Sequence, residues 1–311
     1  MVNAKLPDRI SRLYELANNL WWSWHEDARR LFHILDYPLW RMTLHNPVEQ
    51  LQDIRQETLQ AAAQDPTFLA LYDSVMSTFD AYMSSPNIRF TKECSTLLQG
   101  PVAFFSMEFA IHNSLPLYAG GLGVLAGDIC KEASDMGLPL VAVGFMYPQG
   151  YFHQHISIEG WQQEIYRQLD FEGAPINRII SSTGKNAVAE VQIDDTTLAI
   201  GVWLVQVGNT KIYLLDTNLE ANPPQYRELA ARLYTANQEQ RLQQEIVLGI
   251  GGVRALRALN INPVVWHANE GHTAFMMLER IRELVATGFS FDTATKMVQA
   301  TTVFCRCLRT C

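Results

Sequence analysis

Two short, continuously apolar runs on either side of a glycine-rich segment constrain the fold of this chain most tightly. Residues 102–107 and 140–145 are predicted as buried parallel strands, because strands covered on both faces need no polar alternation. Between them, residues 118–128 read YAGGLGVLAGD and open a helix that is predicted to end at Gly137. We expect this helix to bury the apolar residues at helical spacing: Leu122, Leu125, Ile129, Ala133 and Met136. Strand, glycine turn, helix and strand make a βαβ unit, which predicts an α/β fold.

The glycine turn is a candidate anion site. Backbone N–H groups at a helix start face the ligand, the helix dipole favours negative charge, and glycine permits close approach. Gly120, Gly121 and Gly123 do not have the dinucleotide-binding spacing, and about a dozen residues separate them from the preceding strand. A tight connection that binds nothing remains the alternative for the turn by itself.

Residues 1–95 are predicted as an all-helical extension with its exit at residues 84–87. Apolar residues recur at helical spacing from Ile10 to Leu35, and a second helix is expected from Asn46 to about Ala63. Asp65-Pro66 opens another helix, whose buried stripe is predicted to be Phe68, Tyr72, Val75, Met76 and Phe79. The tryptophan cluster at residues 21–24 could stack on sugar rings, but its helical spacing favours packing in the core.

Residues 96–304 are predicted as one α/β domain with an antiparallel insertion. Residues 198–215 indicate a hairpin that turns at Gly208-Asn209 and is expected to leave the α/β core. A helix from about Asn237 to Leu259 contains three glycines, which predict close packing against another backbone. Residues 263–267 form another buried strand, with a helix from His272 to Leu284 after it.

Polar residues follow these strands where an open α/β sheet binds its ligands. Asn269, Glu270 and His272 follow the last strand and supply donors and acceptors that suit sugar hydroxyls, although capping of the next helix is an equal alternative. Glu108 follows the first strand in the same way. We expect no metal centre, because the histidines lack the zinc-protease spacing and the CxCxxxC tail at residues 305–311 has no second ligand cluster nearby.

The amino-acid composition argues against some classes of binding partner. The net charge is −8 with only 24 basic residues, which argues against nucleic acid or an anionic membrane because both require a basic face. No window approaches the roughly 20 apolar residues of a membrane span, and residues 1–10 lack the apolar core of a signal peptide. We therefore expect a cytoplasmic protein with a neutral or small anionic ligand.

Six stretches in order along the chain resemble the α-glucan (glycogen/maltodextrin) phosphorylase family, in its shorter bacterial and archaeal form. They are residues 106–109 (SMEF), 115–123 (LPLYAGGLG), 149–152 (QGYF), 160–162 (GWQ), 244–249 (QEIVLG) and 267–272 (HANEGH). The match runs from about Val102 to Phe304, and residues 6–40 are similar to the helical extension of that family.

The resemblance implies a helical extension followed by the first Rossmann-like domain of a two-domain GT-B-type glycosyltransferase. Such enzymes use pyridoxal phosphate to transfer a terminal glucosyl unit from an α-1,4-glucan to inorganic phosphate, and a homo-oligomer is possible. The residues that correspond to the phosphate-facing loop are Gly120, Gly121, Leu122 and Gly123, with Glu108 as a carboxylate near the cofactor. Asn269, Glu270 and His272 correspond to the catalytic and glucose-lining motif, which favours a site over a cap.

The chain departs from the family pattern in three places. Where a Thr-His-Thr-Pro segment is expected, residues 305–311 read CRCLRTC, which resembles a frameshifted or artificial tail, and residues 233–238 lack an expected Gly-Gly-Asp. The second domain and its cofactor-binding lysine are missing, so we expect a truncated chain with little or no activity alone. A nucleotide-sugar glucan synthase and a non-catalytic glucan-binding module remain the alternatives.

Overall fold

The computed structural model describes residues 5–84, 100–181, 184–234 and 237–306. Helices form the first part, and a mainly parallel sheet flanked by helices forms the second. This confirms the predicted α/β class with a helical N-terminal region. Four predictions fall wholly or partly outside the described residues: the exit at 84–87, the domain boundary at 95/96, the departure at 233–238 and the cysteine-rich tail at 305–311.

Six α-helices and two 3-10 turns make up the described extension. They are a 3-10 turn at Asp8–Ile10, α1 (Leu13–Asn18), a 3-10 turn at Leu20–Trp24, α2 (Glu26–Leu35), α3 (Tyr37–Met42), α4 (Pro47–Asp53), α5 (Gln56–Ala62) and α6 (Pro66–Ser84). The side chains of Asn46 and Asp65 accept the backbone N–H groups of Val48 and Thr67, which confirms both predicted helix starts. The predicted stripe on α6 is buried in full.

The single helix expected from Asn46 to Ala63 is wrong, because the chain breaks between α4 and α5. Ile54 and Arg55 both have extended backbone, with ψ of 141° at each. From this conformation the Ile54 side chain reaches the core, where it is buried. Burial of one large apolar side chain contributes about 1.5–3 kcal/mol, more than the helix propensity of two residues.

The tryptophan cluster packs in the core, as predicted. Trp21 and Trp22 are each 1% exposed, and Trp22 meets the rings of Phe32 and Trp40 edge to face. Trp24 is partly buried and donates its Nε1–H to Asp135 at 3.2 Å. The faces of Trp21 and Trp22 are therefore closed to a sugar ring, which removes the basis for a glucan-binding module built on them.

Asn19 joins the extension to the sheet domain. Its Oδ1 accepts the backbone N–H of Gly208 at 2.7 Å, and its Nδ2 donates to the Gly208 carbonyl at 3.2 Å. The same Oδ1 accepts the N–H of Trp21 and caps the turn at Leu20–Trp24. One buried side chain thus satisfies backbone groups in both parts of the chain.

Ten strands lie in the described residues: β1 (Val102–Phe105), β2 (Leu140–Phe145), β3 (His153–Ile156), β4 (Gln162–Ile165), β5 (Asn177–Ile179), β6 (Ala187–Ile193), β7 (Thr196–Val207), β8 (Thr210–Asp216), β9 (Val265–Asn269) and β10 (Thr302–Cys305). Eight of them form one sheet in the order β10-β9-β1-β2-β8-β7-β5, with β6 also paired to β7. The strands from β10 to β8 run parallel. The three predicted buried strands are confirmed as β1, β2 and β9, and β3 and β4 form a separate hairpin.

The predicted hairpin is present as β7 and β8, with Gly208 at a φ of 58° in the turn. It does not leave the α/β core as expected, because β8 pairs in parallel with β2 and places Tyr213 opposite Val143. Nearly every residue of β8 is buried, as in a strand covered on both faces. The antiparallel strands β5, β6 and β7 therefore extend the parallel sheet.

The helices of the second part are α7 (Gly121–Met136), α8 (Pro224–Arg227), α9 (Gln238–Ile246), α10 (Gly252–Ala258), α11 (Phe275–Ala286) and α12 (Phe291–Ala300). A π-helical turn at Val247–Gly251 joins α9 to α10, and a 3-10 turn at Gly271–Thr273 precedes α11. A Cβ on Gly249 would lie 2.5 Å from the backbone nitrogen of Met276, which confirms the close packing predicted from the glycines. Among the described residues, every helix is too short or too polar to span a bilayer.

The prediction for the buried face of α7 is confirmed at Ala133 and wrong for the larger side chains. Leu125 is 44% exposed and Leu122 and Ile129 are only partly buried, whereas the core face carries small residues: Gly123, Ala126, Gly127, Cys130, Ala133 and Ser134. A Cβ on Gly127 would lie 2.0 Å from the carbonyl oxygen of Ala110. The helix lies too close to the preceding loop for a leucine on this face. It ends as predicted at Gly137, in the left-handed conformation.

Candidate functional site

The carboxyl ends of β1 and β9 bring the two predicted polar segments together. In the register of this pair Phe105 lies opposite Ala268, so residues 106–108 and 269–272 leave the sheet side by side. The backbone N–H of Met107 donates to Nε2 of His272 at 3.1 Å. The next residue, Glu108, bonds the glycine turn, so two consecutive residues connect both parts of the candidate site.

Glu108 holds the glycine turn in place through hydrogen bonds. Its Oε2 accepts the backbone N–H groups of Ala119 at 2.7 Å and Gly120 at 3.2 Å. Its Oε1 accepts the hydroxyl of Tyr234 at 2.6 Å. The carboxylate is buried, so these three donors replace the water that it would otherwise require. The turn thus has a fixed position relative to the end of β1.

The four positions of the turn have different surroundings. A Cβ on Gly123 would lie 2.7 Å from Oε2 of Glu108, so this glycine permits the packing of helix and carboxylate. A Cβ on Gly120 or Gly121 would meet nothing within 4 Å, so these two face open space. Helix α7 begins at Gly121 without a side-chain cap. The N–H groups of Gly121, Leu122 and Gly123 belong to the first turn and have no intrahelical carbonyl to bond.

Asn269 is fully buried and fastens the ends of three strands. Its Nδ2 donates to Ser106 Oγ at 3.1 Å, and its Oδ1 accepts Cys305 Sγ at 3.4 Å. Ser106 Oγ in turn donates to the Glu108 carbonyl at 3.0 Å. The capping alternative does not describe the structure, because the turn at Gly271–Thr273 has no side-chain cap. Asn269 instead links the ends of β1, β9 and β10 to one another through hydrogen bonds.

Glu270 has a positive φ of 68°. Its N–H donates to the Cys305 carbonyl at 2.9 Å, and its own carbonyl accepts Thr273 Oγ1 at 2.8 Å. A non-glycine residue in this region carries about 1–3 kcal/mol of strain, which the surrounding bonds must balance. Such strain concentrates at functional sites, which is consistent with a site at Glu270.

His272 is a neutral, buried imidazole. The pKa of its ring is lowered to about 4, chiefly by burial, with smaller opposing effects of Glu270, which raises it, and Arg241, which lowers it. Because Nε2 accepts the Met107 N–H, the hydrogen of the neutral ring is placed on Nδ1. His272 is therefore a hydrogen-bond donor through Nδ1 at neutral pH.

Two tyrosines complete the surroundings of Glu108. Tyr234 has a positive φ of 58°, and burial together with its bond to Glu108 raises its pKa. Tyr147, after β2, is fully buried, and its hydroxyl has no partner among the described residues. Sequence reasoning missed Tyr234, because its contact with Glu108 spans 126 positions. Tyr147 could have been found from the sequence, because it follows a predicted buried strand and therefore lies at the same edge of the sheet.

Chemically, this arrangement provides a helix start without a side-chain cap, a buried carboxylate that orders it, and a neutral histidine connected to it through residues 107 and 108. In the described part of the chain, no group of three or more His, Cys, Asp or Glu side chains could hold a metal ion. The polar groups suit an anion and hydroxyl groups bound through hydrogen bonds.

Relatives with assigned names can be aligned with nearly the whole length of this chain. It is 40% identical to a glycogen phosphorylase of Mycobacterium tuberculosis (strain CDC 1551 / Oshkosh), over 97% of this chain and 36% of that protein. It is 41% identical to a glycogen phosphorylase of Aquifex aeolicus, over 94% of this chain and 41% of the relative. A maltodextrin phosphorylase of Thermococcus litoralis is 40% identical over 97% of this chain and 36% of its own length.

A protein family of unknown function, DUF3417, matches residues 6–115. This range covers the helical extension, β1 and Glu108. The chain spans between 36% and 41% of the length of the three phosphorylases. It belongs to the glycogen and maltodextrin phosphorylase family and corresponds to the N-terminal part of its members.

Proposed function

We propose that this chain carries the N-terminal half of the catalytic site of an α-1,4-glucan phosphorylase, which transfers a terminal glucosyl unit to inorganic phosphate and releases glucose 1-phosphate. The names of its relatives support this activity. One observation carries the proposal: α7 begins without a side-chain cap at the carboxyl edge of the sheet, with open space at Gly120 and Gly121. This is the geometry of a phosphate site.

Each site residue has a role that follows from its contacts. The N–H groups of Gly121, Leu122 and Gly123 hold the phosphate, while Gly120 keeps its approach open. Glu108 occupies the N–H groups of Ala119 and Gly120 and thereby fixes the direction of the remaining donors.

On the sugar side of the site, His272 donates through Nδ1 to a hydroxyl, and Glu270 accepts from another. Asn269, which is fully buried, acts as a positioning residue that holds the strand ends beneath them. The glucosyl unit is thus bound beside the phosphate at the same edge of the sheet.

The proposed cofactor is pyridoxal phosphate. The open glycine positions fit a phosphate group, whether of the cofactor or of the substrate, because no side chain blocks the helix start. When bound, the cofactor supplies a phosphate that exchanges a proton with the substrate phosphate. In the proposed GT-B-type architecture a second domain lies across the cleft, and the exposed Val124 and Leu125 of α7 offer it an apolar surface beside the turn.

Phosphate binding to the purified 311-residue chain tests this proposal. We expect saturable binding by titration calorimetry, and a loss of about tenfold in Gly121→Ala, because the added methyl group occupies the open face. Binding that Gly121→Ala leaves unchanged would contradict the site. Tighter binding of ADP-glucose than of phosphate would favour the glucan synthase alternative.

Activity is the second test. We expect the chain alone to release little or no glucose 1-phosphate from maltoheptaose and phosphate, because half of the proposed cleft comes from a second domain. Steady release by the chain alone would disprove that division of the site.

A further inference from the structure

Tyr147 is a fully buried tyrosine whose hydroxyl has no hydrogen-bond partner among the described residues. A buried polar group without a partner has lost its hydration and gained no bond in return. The proposed phosphate and glucosyl contacts do not involve this hydroxyl. A donor that is kept in the core at such a cost requires an acceptor, and the segments around the ring identify one.

Tyr147 leaves β2 beside the strand end that carries Glu108. β1 and β2 pair in parallel and end together at the edge of the sheet. A Cβ on Gly144 would lie 2.6 Å from the ring of Phe109, so the end of β2 packs directly against the residue that follows Glu108. The Tyr147 ring is therefore buried in the same region as the Glu108 carboxylate.

The stretch that begins at Tyr147 also contacts the segment that carries Tyr234. The Gly150 N–H donates to the Tyr147 carbonyl at 3.1 Å, and the Leu233 N–H donates to the Gly150 carbonyl at 3.0 Å. Burial raises the pKa of Tyr147, and Tyr234 and Glu108 raise it further. Both groups thus lie close enough to the Tyr147 hydroxyl to act on it electrostatically.

Glu108 has room for one more hydrogen bond. A carboxylate offers about four acceptor positions, and three donors occupy them here: the N–H groups of Ala119 and Gly120 on Oε2, and the Tyr234 hydroxyl on Oε1. Tyr234 is only partly buried and has a φ of 58°, which is a strained conformation for a bulky residue. The donor on Oε1 is therefore easier to displace than Tyr147, which lies wholly within the core.

We propose that Tyr147 is a positioning residue that keeps a second hydroxyl in reserve for Glu108. When Tyr234 turns out of the site, the Tyr147 hydroxyl donates to Oε1, and Oε2 keeps its two bonds to the glycine turn. The turn stays ordered while the partly buried side of the site opens to a ligand. The purpose of this exchange rests on the proposed phosphate site, but the exchange itself requires no ligand.

A double-mutant cycle in urea, on the 311-residue chain without phosphate, tests the reserve donor. Tyr147→Phe removes only the hydroxyl and by itself should change the unfolding equilibrium constant less than about threefold, because that hydroxyl has no partner. In the Tyr147→Phe background, Tyr234→Phe should raise the unfolding constant about tenfold more than in the parent chain, the weight of one hydrogen bond to a charged group.

Tyr213→Phe is the matched control background. Tyr213 is another buried tyrosine whose hydroxyl makes no hydrogen bond in the described part of the chain, and burial is the cause that raises its pKa. Tyr234→Phe should therefore have the same effect in this background as in the parent chain. A tenfold larger effect in the Tyr213→Phe background as well would overturn the specific role of Tyr147.

Amide hydrogen exchange at Ala119 and Gly120 reports on the turn directly, because Glu108 accepts both N–H groups. Protection is measured relative to the amide of Ala126, which is buried in α7. Each single variant should keep this relative protection within about threefold, whereas the Tyr147→Phe/Tyr234→Phe double variant should lose about tenfold.

Two results would overturn the proposal: equal effects of Tyr234→Phe in the parent and Tyr147→Phe backgrounds, or a tenfold loss of turn protection in Tyr147→Phe alone. If the double variant does not fold, Tyr234→Phe alone decides, since retained protection supports the reserve donor and a tenfold loss refutes it. The phosphate titration of Gly121→Ala is a separate test, so failure here would not bear on the anion site.

Discussion

The hydroxyl of Tyr234 donates to Oε1 of Glu108 over 2.6 Å, and the other oxygen of that carboxylate accepts two N–H groups of the glycine turn. The order of the turn therefore depends on a residue 126 positions away. Both side chains are largely or fully removed from water, so the bond is made in a setting where an unpaired oxygen is costly.

Tyr234→Phe is expected to destabilise the chain by about 1–3 kcal/mol, because Oε1 of buried Glu108 loses its donor. Urea unfolding gives the difference in free energy, and phosphate titration should show weaker binding. Tyr226→Phe is the control, since no hydrogen bond of the Tyr226 hydroxyl occurs among the described residues, and it should stay within about 0.5 kcal/mol. Equal stability of the two variants would contradict the bracing role of Tyr234.

Gly127→Ala and Gly121→Ala should differ sharply in stability. The new methyl group at position 127 meets the Ala110 carbonyl at 2.0 Å and forces α7 away from the loop, at a cost of about 1–3 kcal/mol. At position 121 it meets nothing within 4 Å, so the melting temperature should be unchanged or slightly higher. Thermal unfolding monitored by circular dichroism compares them, and similar losses in both would refute the separate roles of these glycines.

Asn19→Ala should be far more damaging than Asn18→Ala. Asn19 is 5% exposed and bonds both backbone groups of Gly208, whereas Asn18 bonds only the Tyr14 carbonyl in an exposed position. We expect a loss of about 2–3 kcal/mol for the first and about 0.5 kcal/mol for the second. Guanidinium unfolding measures both. A small effect at Asn19 would mean that the extension and the sheet are held together by apolar packing alone.

The stability of the chain should fall between pH 7 and pH 5, partly through His272. Its folded pKa of about 4 lies below the ordinary value of 6.5, so the unfolded state binds more protons in this window and gains free energy as the pH falls. These values give a contribution of about 2 kcal/mol at pH 5 relative to pH 7.

His272→Gln removes this titration while offering an acceptor to the Met107 N–H. The difference in unfolding free energy between pH 7 and pH 5 should therefore be smaller in the variant by about that amount. An identical pH dependence in His272→Gln and the parent chain would show that the ring is not held neutral.

Elements whose signal is local were predictable from the sequence. The stripe on α6, the caps at Asn46 and Asp65, and the buried strands follow from the spacing and chemistry of neighbouring residues. The glycine turn and the segment at 267–272 were also located correctly at the same sheet edge, because parallel strands end together.

The features that the sequence did not predict depend on contacts between residues that are far apart along the chain. Hydrophobic spacing placed the leucines of α7 inward, whereas the distance to Ala110 admits only small side chains on that face. The break at Ile54 depends on what lies beneath it in the core. The bond of Tyr234 to Glu108 has no local signal, and it lies in a segment that departs from the family pattern.

The DUF3417 match at residues 6–115 includes β1, which lies between β2 and β9 in the sheet. A polypeptide cut to those residues would retain a central strand with both of its neighbours removed, and would lose the Gly208 partner of Asn19. The block recognised by sequence similarity is therefore not an independent folding unit. We therefore expect the helical extension and the sheet domain that carries the glycine turn to fold only as one piece.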